Sequence, residues 1–221
     1  MLEGERLLNY EVLHRLGHGA KDSGDHSEAF KYFNLADEIA IAADDPLKQL
    51  HARTPAARAL WSMGQFDAAS QKMDEVKVIA DDLELVDEQA IAISNIGRIA
   101  AVKIAKTMPL EEHREALRER ALPHFEEARK LLKGHSHHYY AYANGHHGSM
   151  IAALAGKRWQ SAKLLMSGLF AAFRRSPDYD VEKRTYEVNK KGLGQMAVAA
   201  ALLPLGDRTP ILARRAREFI R

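Results

Sequence analysis

The sequence predicts an all-α fold, a row of antiparallel helix pairs, and three observations carry that prediction. A pattern about forty residues long recurs along the chain. Alternating apolar and polar runs, the mark of half-buried strands, are absent. Ala, Leu, Glu, Lys and Arg, which lose least on entering a helix, dominate. At 221 residues, 46% hydrophobic and 28% charged, the chain can bury a substantial core.

The first unit is the clearest. Leu16-Gly17 supplies a small residue at which two helices can approach, Gly24-Asp25 makes the turn, and Ala29, Phe33 and Ala36 form an apolar stripe spaced four then three. Met63-Gly64-Gln65-Phe66 repeats the turn, and Ala69, Met73 and Val76 repeat the stripe. We expect the stripe again at Ala121, Phe125, Ala128 and at Ala162, Met166, Leu169. The longer step before the third stripe reflects extra residues around Thr107-Met108-Pro109-Leu110-Glu111-Glu112. Proline and glutamate there suit the first turn of a helix. Leu193-Gly194 opens a fifth pair, and Gly206-Asp207-Arg208-Thr209-Pro210 turns into a short terminal helix. The expected helices lie near 5–22, 27–43, 47–63, 66–82, 86–107, 110–132, 137–155, 158–175, 180–204 and 209–220, roughly ten in about five pairs. The pairs fall near 5–43, 47–82, 86–132, 137–175 and 180–221 of one repeat domain, 1–221.

The run Leu-Gly, then Gly-Asp-x-x-x-Ala-x-x-Tyr-Phe-x-x-Ala over residues 16–36 resembles a tetratricopeptide repeat. The resemblance implies a right-handed α-solenoid over the whole chain. The period departs from the family's usual thirty-four residues, Leu13 stands where an early aromatic is usual, and no proline closes the repeat after Ala36, so this is a long-repeat variant. It further implies a concave groove lined by the first helix of each pair. Carried over unit by unit, that register selects His14, His18 and Lys21; His51, Arg58 and Trp61; Asn95 and Arg98; Asn144 and His147; and Lys191 and Gln195. These side chains offer donors and positive charge suited to carboxylate or phosphate. The family's carboxylate clamp for chaperone tails is not matched, since Pro55 and His18 stand where asparagines are expected.

The segment 133–148, KGHSHHYYAYANGHHG, holds five of the chain's eleven histidines. On a helix His138 and His146 lie about 12 Å apart along the axis at about 1.5 Å per residue, too far to share one metal ion. No acid occurs from Ala128 to Pro177 to complete a ligand set, so we expect polar surface or groove residues and no metal or other cofactor. Asn144-Gly145 could alternatively turn the chain there. Phosphate-binding and nucleophile-elbow motifs are absent and there is no cysteine, so no catalytic role is expected.

The net charge of +2 conceals a dipole: residues 1–90 carry 9 Lys/Arg against 18 Asp/Glu, and 91–221 carry 23 against 12. The halves could associate between copies. No uncharged apolar run long enough to cross a bilayer and no basic-then-apolar leader is evident, and the lack of cysteine fits a cytoplasmic setting. The expected function is therefore a non-catalytic adaptor or sensor that binds a protein or peptide segment, acidic by complementarity, in the concave groove. One alternative is a regulatory module that meets nucleic acid through the basic half, including Arg214, Arg215, Arg217 and Arg221, although no DNA-reading motif is present. The other is a metal-dependent enzyme built on the His135–His147 cluster.

Overall fold

A computed structural model describes residues 3–133 and 138–173. Among the described residues there are helices and turns and no strand: α1 Glu3–Asp22, α2 His26–Ala42, α3 Pro46–Ser62, α4 Phe66–Asp82, α5 Val86–Thr107, a 3₁₀ turn Leu110–Glu112, α6 His113–Arg120, α7 Leu122–Leu131, α8 His138–Leu154 and α9 Arg158–Phe173. The helices expected over 180–204 and 209–220 lie outside the described residues. None of the described helices is long and apolar enough to cross a membrane. The chain divides into two compact units, Met1–Ile99 and Ala100–Arg221.

In unit 1 the helices end in the same way at regular intervals. Gly24, Asp44, Gly64 and Glu84 all have positive φ, at 85°, 51°, 80° and 55°. A left-handed residue after the last helical turn folds the chain back, so that otherwise unpaired carbonyls are reached by the next two amides. Gly24 N donates to Lys21 O and Asp25 N to Ala20 O; Asp44 and Asp45, Gly64 and Gln65, and Glu84 and Leu85 make the equivalent pairs. The left-handed residues are 20 apart in sequence, so helix and turn repeat with one length and a pair repeats every 40. Asp25 and Asp45 follow directly and cap the next helix, accepting from Glu28 N at 2.9 Å and Lys48 N at 3.0 Å.

The apolar stripes fill the spaces between these rods. Ala29 and Phe33 of α2 are buried with Ala56 and Ala59 of α3; Ala36 and Ala40 pack with Tyr10 of α1 and Ala52 of α3. Val76 and Ala80 of α4 close on Leu50 of α3 and Ala92 of α5. Gly17 is the contact point anticipated for α1 and α2, since a Cβ there would stand 2.6 Å from the Phe33 ring.

In unit 2, Phe125 of α7 is buried with Ile104 of α5, Leu117 of α6, Ile151, Ala152 and Ala155 of α8 and Leu164 of α9. The helix expected over 110–132 is not continuous. It opens with the 3₁₀ turn after Pro109 and breaks at Ala121, where φ is −114°, because Pro123 has no amide to give the turn before it. By contrast α8 runs through Asn144-Gly145 without a turn. Gly145 serves packing there: a Cβ would lie 2.5 Å from the Cα of Gly168, so the backbones of α8 and α9 touch.

The stripe expected on α9 is out by one residue. Met166 is exposed, and Ser161, Leu165 and Gly168 are buried with the same four-then-three spacing. They stand 40 residues after Ala121, Phe125 and Ala128, which restores the period. Ser161 is kept inside because its hydroxyl donates to Ser149 O at 2.8 Å.

Glu84 carries a Cβ in a conformation that disfavours one, while a Cβ on Gly64 would meet nothing within 4 Å and feel backbone strain alone. Glu84→Gly should therefore raise the stability of unit 1 and Gly64→Ala lower it, each by about 1 kcal/mol. The midpoint of urea unfolding followed by helicity reads both; equal shifts of one sign would refute the turn geometry.

Candidate functional site

The first helices of unit 1 touch one another directly. Tyr10 of α1 donates its hydroxyl to Lys48 O of α3 at 3.0 Å. One turn on, His14 Nε2 lies 3.3 Å from His51 O. That carbonyl lacks its usual helical donor because the residue four positions later is the buried Pro55. A ring carrying its proton on Nε2 supplies the missing hydrogen bond, so the proline that breaks the α3 ladder also fastens α1 to it. Further along, α3 meets α5 through Trp61, whose ring lies 4.7 Å from the Arg98 guanidinium carbon.

The regular period decides which side chains share this face. His18, Arg58 and Arg98 are 40 residues apart and occupy the same place in α1, α3 and α5. His14 and His18 meet edge to face at 4.7 Å, and both rest on the Phe33 ring, at 5.6 and 5.2 Å. Lys21 Nζ donates to His18 Nδ1 at 3.3 Å and pairs with Asp22 at 3.1 Å. Arg58 is exposed. Burial above all, then His14, Lys21 and Arg58, hold the His18 imidazole below its usual range, while Asp22 pulls it up.

Arg98 is held by two neighbours. Its guanidinium lies over Trp61, and its Nη1 donates to Asn95 Oδ1 at 3.3 Å. Asn95 is itself held, its Nδ2 directed at Met73 Sδ at 3.9 Å. Stacking engages the face of the guanidinium and leaves its in-plane geometry for hydrogen bonding, and a side chain already fixed loses less entropy when it binds.

The expected groove residues do not all play one part. His14, His18 and Lys21 are grouped on α1 and Trp61 meets Arg98 between α3 and α5, while Arg58, exposed on α3, acts on His18 through its charge; His51 contributes its carbonyl to the α1–α3 join and its side chain is exposed. Asn95 is only 3% exposed and acts from within, as a prop for Arg98. Asn144 and His147 belong to unit 2; Asn144 is buried and donates to Phe125 O at 3.0 Å, and His147 Nδ1 lies 2.8 Å from Ala143 O. Lys191 and Gln195 lie outside the described residues, as do His135 and His137. Among the described residues no group of three or more His, Asp or Glu is placed to hold a metal ion. No family model and no curated protein matches the chain.

The opposite row carries a feature missed in the sequence. Asp37 of α2 is buried and takes Arg53 Nε of α3 on both carboxylate oxygens at 2.9 Å. Glu75 of α4 lies 3.6 Å from Arg53, and Lys72 bridges Asp37 and Glu75 at 3.9 and 3.3 Å. Burial pushes the Asp37 carboxyl above its usual range, against the pull of Arg53 and Lys72. Such a pair costs desolvation to form and much more to half-remove. Arg53→Met should destabilise unit 1 by about 3 kcal/mol, and adding Asp37→Leu should recover a large part of that. A double-mutant cycle in urea measures it; additive losses would show that the network is not coupled.

Proposed function

We propose that this protein is a non-catalytic adaptor or sensor of the tetratricopeptide-like, α-solenoid kind, and that the face formed by α1, α3 and α5 is a concave groove for an acidic segment of a partner protein. The observation that carries this reading is the Arg98 guanidinium held between Trp61 and Asn95, with Arg58 and His18 at the equivalent positions of the preceding pairs. Basic groups repeated at one position of successive helix pairs suit an extended or helical chain bearing several carboxylates or phosphates.

Charge-assisted hydrogen bonds of this kind contribute about 1.5 to 3 kcal/mol each. Arg58→Ala/Arg98→Ala should therefore weaken binding of a hexaglutamate probe at least about tenfold with helicity retained. Arg214→Ala/Arg217→Ala serves as the comparison, since those residues lie in the basic half and outside the described residues. Unchanged affinity in the first variant, or the larger loss in the second, would refute the groove and turn attention to the basic half and its nucleic-acid alternative.

A further inference from the structure

We infer that His18 and Lys21 of α1, with Arg58 of α3, form an oxyanion subsite that takes up one proton together with its carboxylate or phosphate ligand. The inference rests on the acidic-partner reading above and adds a second ligand, the proton, to one end of that surface.

The hydrogen bond between Lys21 and His18 is the starting point. Lys21 is an ammonium with donors only, so the His18 Nδ1 it approaches at 3.3 Å presents a lone pair. The ring is therefore neutral in this arrangement. Its surroundings keep it so: His14 and Lys21 on its own helix and Arg58 from α3 all oppose a further positive charge, Asp22 favours one, and α2 presents the uncharged Phe33 ring. With its pKa in the fold below that of the unfolded chain, His18 contributes stability that is fully present above the unfolded value and is lost as pH falls through that value towards the folded one.

An oxyanion entering beside Lys21 and Arg58 reverses these influences. It offsets the two cations and draws the ammonium away from Nδ1 towards itself. Nδ1 then takes a proton from solvent and donates it to the ligand as a third charge-assisted contact. His14 is less suited to this role because its Nε2 is committed to the His51 carbonyl. The subsite thus binds more tightly as pH falls, and an acidic segment raises the affinity of His18 for a proton by the same factor.

Calorimetry of hexaglutamate binding to the full chain, in two buffers of different ionisation enthalpy near neutral pH, reads the proton directly. For a rise of about two units in the His18 pKa, uptake of about 0.8 proton midway between the free and bound values is expected, with affinity about tenfold or more tighter at pH 6 than at pH 8. His18→Gln should abolish both while leaving weaker binding. The His18 ring resonances of the unaltered protein supply a readout independent of that variant: their titration midpoint should move up with hexaglutamate or with inorganic phosphate, and which of the two moves it identifies the source of the oxyanion. Binding that is weakened by Arg58→Ala/Arg98→Ala yet shows no proton uptake and no movement of the His18 midpoint overturns the subsite and leaves the acidic-partner reading standing. Hexaglutamate that fails to bind from about pH 6 to 8 overturns both.

Discussion

Each of the helices α1 to α4 is closed by one residue in the left-handed conformation, and the 20-residue spacing of Gly24, Asp44, Gly64 and Glu84 governs what is built on it. An α-helix advances about 100 degrees per residue, so one residue gained or lost in a helix would swing the following face by more than a quarter turn. With a fixed length, equivalent positions recur after 40 residues and point alike. The stripe Ala29, Phe33, Ala36 becomes Ala69, Met73, Val76, and the neighbours of His18 become those of Arg58 and Arg98.

The two rows are then bound differently. Along α2 and α4 small apolar residues and a buried ion-pair network hold the helices, and the charged groups there satisfy one another: Asp37 and Arg53 are both largely shielded from water. Along α1, α3 and α5 the joins use groups with capacity for more than one partner: an imidazole on a carbonyl orphaned by Pro55, and a guanidinium lying on an indole. The first row is made for cohesion. The second holds cations in position, and the proposed acidic-partner surface would draw on that at a modest entropic cost to its ligand.

Much of this was legible in the sequence, for identifiable reasons. Glycine before aspartate at Gly24-Asp25 announces a left-handed turn followed by an N-cap, and the observed bounds of α2 to α5 fall within a residue or so of those expected from such signals. Glu84 was not legible as a left-handed residue, because nothing in an acidic side chain favours that conformation; the neighbouring turns impose it. On α9 hydropathy misled. Met166 attracts the eye, but Ser161 and Gly168 are inside, one through its bond to Ser149 O and the other because α8 comes too close for a side chain. The Asp37–Arg53 pair left no periodic trace, since the equivalent positions are Lys77 and Ile93. For the candidate site the repeat register selects residues on α1, α3 and α5, yet it does not separate Asn95, a buried prop, from Arg98, the group it supports.

On the proposed function, one face of unit 1, and not the other, receives an acidic chain along its length. A nitroxide carried on a cysteine at the end of hexaglutamate tests this directly, and the label stays on the peptide because the protein has no cysteine. Paramagnetic broadening of the amide resonances of the isotopically labelled protein reports which helices lie near the label. Broadening is expected on α1, α3 and α5 around residues 18, 58 and 98, with α2 and α4 spared. Broadening concentrated on α2 and α4, or confined to residues beyond 100, would contradict it.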